Sequence, residues 1–140
     1  MKQLYARLQN YKPYNAEEAH MQQVILDFMN HNENVLLRKN RIAHFSASAW
    51  ITNKERTKIL MGYHNIYKSW GWLGGHADGK PDLLFVARKE IEADERDEIR
   101  IKPDENSGVA WVPIEEVLER ISEEHMKPVY SLLNEKLLHM

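Results

Sequence analysis

The sequence predicts a mixed α/β or α+β sandwich. Apolar residues recur with a helical period near the start, alternate with period two in the middle, and return to helical stripes at the end. With 140 residues the chain fits one domain, residues 1–140, and can bury roughly two thirds of its unfolded surface without staples. Residues 1–40 read as an N-terminal helical extension and residues 41–140 as the sandwich.

The first clear element is a helix from Ala16 to Asn30. Asn15 is placed to cap it, with Glu18 three residues on as in a capping box. Met21, Val24, Ile25, Phe28 and Met29 form its apolar stripe. Ile42 to Ile51 reads as a strand, because Phe45, Ala47, Ala49 and Ile51 alternate with His44, Ser46, Ser48 and Trp50. The polar run from Thr52 to Thr57 is a turn, and Lys58 to His64 a second strand, antiparallel to the first. Trp70 to Leu73 is a third, ending in Gly74-Gly75.

Asp82 can cap a helix whose apolar face is Leu83, Leu84, Ala87 and Ile91. Glu98 to Ile101 and Val109 to Val112 are short strands, separated by Pro103 and the turn Asn106-Ser107-Gly108. One helix from Ile114 and another around Val129, Leu132, Leu133 and Leu137 close the pattern, with Pro128 in the first turn of the last.

Composition narrows the function. Nineteen Lys plus Arg against 21 Asp plus Glu leave a net charge of −2, without the basic excess of a nucleic-acid backbone binder. The absence of cysteine excludes disulfide scaffolds, thiol catalysis, thiolate zinc sites and iron–sulfur clusters. No apolar run approaches the roughly 20 residues that span a bilayer. The start, MKQLYARLQNYKPY, has no apolar core of a secretory signal. A cytoplasmic protein with no membrane or nucleic-acid partner is the expectation.

The segment that carries chemistry is GGHADGKPDLLFVARKE, Gly74 to Glu90: a strand running into paired glycines, a loop, then a helix bearing a carboxylate. It resembles the signature of the Nudix hydrolase superfamily: glycine, five residues, glutamate, seven residues, then Arg-Glu-hydrophobic-any-Glu-Glu-any-Gly. HFSASAWITN, TKILMGYHNIYKSWGW, IKPDENSGVAW and MKPVYSLLNEKL also look like one branch of that family, so the resemblance runs nearly end to end. It implies a Nudix-like α/β/α sandwich with a reduced mixed sheet. It also implies a Mg²⁺- or Mn²⁺-dependent hydrolase of a nucleoside diphosphate linked to another moiety. Such chemistry needs hard oxygen ligands, which carboxylates spaced along one helix face can supply. By this resemblance Glu90 is a metal ligand or base, Asp94 a second ligand, and the Gly74 carbonyl a loop ligand.

Several positions depart from the signature. Pro81 stands at the first Glu, Lys89 at the Arg, Ala93 at one of the paired Glu residues and Arg96 at the closing Gly; only Glu90 matches a helix carboxylate outright. In a second, preferred alignment the chain jumps after Glu90 straight to the family's later strand and turn. The weak apolar pattern beyond Ile91 and the short chain favour it, and Asp94 then matches by coincidence. A shortened chain must repack or form a homo-oligomer to cover its strand edges. A catalytically inactive Nudix-like binding module, or an internally deleted remnant, is the alternative to the enzyme.

Plainer readings stand beside these. Glu90 could be a solvated helix acid beside Arg88 or Lys89, and the run Glu92, Asp94, Glu95, Asp97, Glu98 a solvated surface. His44, His64 and His76 share no metal-ligand spacing. His76-Ala77-Asp78, beside the glycines, is the best candidate for a substrate or water contact. Trp50, Tyr63, Tyr67, Trp70 and Trp72 could stack on a base, although half-buried strand aromatics are commoner. GGHADG lacks the Lys and Ser/Thr of a P-loop.

Overall fold

A computed structural model describes residues 1–92 and 106–140. The described chain is mixed α+β, in agreement with the expected class. Its elements are α1 (Lys2–Gln9), α2 (Ala16–His31), β1 (Ser46–Ala49), β2 (Ile51–Thr52), β3 (Lys58–His64), β4 (Ser69–Gly71), β5 (Leu73–His76) and α3 (Leu83–Glu92). β6 (Asn106–Pro113), α4 (Val117–Arg120) and α5 (Lys127–Leu138) follow, with 3₁₀ turns at Ile114–Glu116 and Glu124–Met126. No described helix is long and apolar enough to cross a membrane. β1 pairs with β5, while β2, β3, β4 and β6 form a second sheet. Residue contacts divide the chain into two compact units: Met1–Ala47 with Gly75–Ala87, and Ser48–Gly74 with Arg88–Met140.

In the first unit, α1 precedes the first helix that the sequence signals. Leu4 and Leu8, one turn apart, give it a small apolar edge, and Leu4 is buried. Gln22 on α2 donates to the carbonyls of Leu8 (2.6 Å) and Tyr11 (2.9 Å), tying the end of α1 to α2. The Asn15 side chain accepts the Glu18 N–H at 2.8 Å, so the predicted cap is present. The Glu18 carboxylate in turn accepts the Tyr14 N–H (2.8 Å) and the Tyr11 hydroxyl (2.7 Å). The expected stripe of α2 is only partly the buried one. Phe28 and Met29 pack on the core of Leu4, Val35, Leu36 and Ala77, but Met21 and Val24 are exposed and Leu26 is buried instead.

The predicted strand from Ile42 begins only at Ser46. Asn40 explains the delay: its side-chain oxygen accepts the N–H groups of Ile42 (2.9 Å) and Ala43 (3.3 Å), turning the backbone locally.

In the second unit, β3 is central and its residues Ile59–Gly62 are all buried. The expected antiparallel hairpin is present only in part: β2 pairs with β3, Ile51 opposite Leu60 and Thr52 opposite Ile59, whereas Ser46–Ala49 of the same predicted strand pairs with β5 in the other sheet. Its turn is ordered by Asn53, whose side-chain oxygen accepts from the N–H groups of Thr57 (2.8 Å) and Lys58 (2.9 Å). β6 runs antiparallel along β3 from Pro113 opposite Lys58 to Asn106 opposite His64. Asn106-Ser107-Gly108 is therefore strand rather than turn. Pairing with the far end of β3 overrides its turn-like composition, with a register irregularity between Tyr63 and His64. The strand expected over Glu98–Ile101 lies outside the described residues. Ile59, Met61, Val112, Val117, Ile121 and Tyr130 form the core of this unit. α5 starts with Pro128 in its first turn, as expected.

The predicted strand Trp70–Leu73 is split at Trp72 between β4, which pairs with β3, and β5. The paired glycines consequently lie inside β5 rather than beyond it.

Candidate functional site

The glycine-rich segment leaves β5 through a tight turn. Asp78 (φ +44°) and Gly79 (φ +86°) both have positive φ, and the Lys80 N–H donates to the Ala77 carbonyl at 2.9 Å. This is the φ pattern of a type I′ turn, for which Asp-Gly is a favoured pair. Gly79 also donates its N–H to the Leu36 carbonyl at 2.9 Å, and a Cβ there would lie 3.3 Å from the Leu37 side chain. Asp82 then opens α3, its carboxylate accepting the Phe85 N–H at 3.2 Å. Val86 and Ala87 are buried, whereas Leu84, expected on the apolar face, is exposed.

Asp78 is clamped by Arg38 through two bonds, Nε–Oδ1 at 2.8 Å and Nη2–Oδ2 at 3.0 Å. The Arg38 hydrogen bonds hold its carboxyl below the ordinary value of 3.8 against the opposing effect of burial, and the charges of Arg38, His76 and His44 lower it further. His76 meets His44, Nδ1 to Nε2 at 2.8 Å, with ring centroids 5.0 Å apart. That contact needs an N–H on one of the two nitrogens and a lone pair on the other. The two predicted substrate contacts thus fall in the first unit and engage different partners. His44 was on a predicted strand. Nothing local pointed to Arg38, which stands 40 residues from Asp78.

Gly74 lies in β5 and Glu90 on α3, and both belong to the second unit. The Glu90 side chain and the whole of Asp94 are outside the described residues. Among the described residues no group of three or more His, Cys, Asp or Glu could hold a metal ion.

The aromatic residues of the second unit gather around Tyr130, a residue of α5 not singled out from the sequence. Trp50 stacks on it at 4.8 Å and 20°, and Trp72 meets it edge-on at 5.3 Å and 74°. The Trp50 indole N–H donates to Asn134 (3.1 Å), and the Trp72 backbone N–H donates to the Tyr130 hydroxyl (3.3 Å). Burial pushes the Tyr130 phenol above its ordinary value of 10.0; the Trp72 bond opposes the shift and the Glu123 charge reinforces it. Tyr63 and Trp70 form a second edge-on pair at 5.6 Å. Trp50 and Trp70 serve the core, whereas Tyr67 and Trp72 keep exposed surface. No family model matches this sequence, and no curated protein does.

Proposed function

We propose that the chain is a reduced Nudix-type hydrolase that cleaves a nucleoside diphosphate linked to another moiety with the help of Mg²⁺ or Mn²⁺. The observation that supports this reading is the order of β5, tight turn and α3: paired glycines on a strand, then a helix that carries Glu90. The donor chemistry suits a hard divalent cation, because the Gly74 carbonyl, Glu90 and Asp94 all offer oxygen. The described residues do not form a cation site by themselves, so the set depends on both carboxylates. A bound cation would neutralise phosphate oxygens and make water a better nucleophile. Glu90 would hold the cation or accept the proton of the attacking water, and Asp94, one methylene shorter than Glu, would add the second carboxylate.

A second reading, a Nudix-like binding module without turnover, is favoured by Pro81, Ala93 and Arg96, which stand where the family pattern has Glu, Glu and Gly. Calorimetric titration with Mn²⁺ separates the two. For the enzyme, saturable binding is expected in the wild type and is lost in Glu90→Gln, together with turnover of nucleoside diphosphate derivatives. A folded wild type that binds no Mn²⁺ supports the binding module. Unchanged turnover in Glu90→Gln removes that residue from the mechanism.

A further inference from the structure

We propose that the second unit carries a binding site for a small planar organic cation, in the cavity between the β3–β4 turn and the start of α5. The cavity has a volume of about 400 Å³, within the size range of small-molecule sites. Its walls are aromatic. Trp72 and Tyr130 meet at nearly a right angle, and His64 and Tyr67 lie 4.5 Å apart at 39° on another side. Ring faces carry negative potential and attract cations.

Glu123 supplies the charge. Its side chain is only 22% exposed, and its one ionic partner among the described residues is His125, 3.7 Å away and itself 75% exposed. Among the described residues no donor makes a hydrogen bond to that carboxylate. The neighbouring cation, Lys127, is paired with Glu124 at 2.6 Å. A mostly buried carboxylate that lines a partly aromatic cavity, with only an exposed histidine as ionic partner among the described residues, is a recognition element for a cation brought by a ligand. Its charge also helps to keep the Tyr130 phenol protonated.

Gly71 makes the cavity floor possible. A Cβ at that position would stand 3.0 Å from the Tyr130 hydroxyl, so a larger residue would crowd the ring that lines the space. The proposal does not rest on the hydrolase reading, since none of these residues belongs to the segment from Gly74 to Asp94.

Benzamidine is a suitable probe, because it is planar, cationic and small. Calorimetry at pH 8, where ordinary histidines are neutral, should compare it with benzamide, its neutral counterpart of nearly the same shape. Benzamidine is expected to bind saturably and at least about tenfold more tightly than benzamide, the size of effect that one desolvated charge contact provides. Glu123→Gln should weaken benzamidine about tenfold and leave benzamide unchanged, with circular dichroism showing a folded chain. Equal binding of the two probes by the wild type, which needs no variant, would overturn the proposal. So would undiminished benzamidine binding by Glu123→Gln, or no benzamidine binding to the folded wild type.

Discussion

Asp78 and Tyr130 each organise one unit, and they do so by opposite means. Asp78 sits in water: its side chain and that of Arg38 each keep 54% exposure, and two short bonds fix a turn whose backbone already has the right residues. Tyr130 is 2% exposed, stacked on Trp50 and met edge-on by Trp72, and holds the split between β4 and β5 through a single hydroxyl. An exposed ion pair loses most of its Coulomb energy to solvent and side-chain entropy, so the Asp78 clamp sets geometry more than stability. A buried aromatic contributes apolar area and contacts that water cannot replace, so Tyr130 sets both.

The comparison is broken most directly at Tyr130. Tyr130→Ala is expected to cost about 3–5 kcal/mol, read as a fall in the urea midpoint, because it leaves a cavity between Trp50 and Trp72. A loss no larger than that of an exposed substitution would show that the aromatic cluster is not the anchor. Gly71→Ala should cost about 1–3 kcal/mol, since the Tyr130 ring is held on both sides and cannot move its oxygen aside. In the Tyr130→Phe background the oxygen is gone, and the cost of Gly71→Ala should shrink. Strict additivity in that double-mutant cycle would contradict the close approach.

Tyr130→Phe alone should cost about 1 kcal/mol through the lost Trp72 bond. It should also change the alkaline limb. A phenol raised above 10.0 in the folded state contributes stability that is complete below pH 10 and is lost as pH climbs through its folded value. The melting temperature of the wild type should therefore fall more steeply than that of Tyr130→Phe above pH 10. The smallest effect belongs to Asp78→Asn. A carboxyl depressed below 3.8 contributes stability present above that pH and lost as pH falls through its folded value. Asn should thus flatten the acid limb while leaving the melting temperature at pH 7 nearly unchanged. A large loss at pH 7 would mean that the clamp supports the first unit after all.

What could be read from the chain beforehand follows the same division. Elements with a local cause were legible: the Asn15 cap, the β2–β3 hairpin with its Asn53 turn, and Pro128 in the first turn of α5. Elements whose cause lies far away were not. Nothing near Asn106-Ser107-Gly108 says that β3 will draw it into a strand, and nothing near Asp78 names Arg38. Asn40 was overlooked because a side chain that competes with a ladder leaves no periodic signal. Of the candidate site, the helix that Asp82 opens was legible from its cap, whereas the strand was expected to stop short of the glycines that lie inside β5. The partners of His76 and Asp78, and the convergence of Trp50 and Trp72 on Tyr130, depend on tertiary packing that no local pattern encodes.

The β3–β6 ladder has a kinetic consequence. It joins Lys58–His64 to Asn106–Pro113, so β3 must wait for a distant part of the chain before its second edge is paired. The entropy of closing such a connection grows only logarithmically, about 0.6 kcal/mol for each doubling of its length. Because that connection carries β4, β5 and α3, only lengthening one of its exposed turns falls under this weak dependence and would barely change the stability of the ladder. Folding rate would register the change instead, since non-local pairing is the slow event in assembling a sheet. An added residue in such a turn is thermodynamically cheap, whereas loss of β4, β5 or α3 is not.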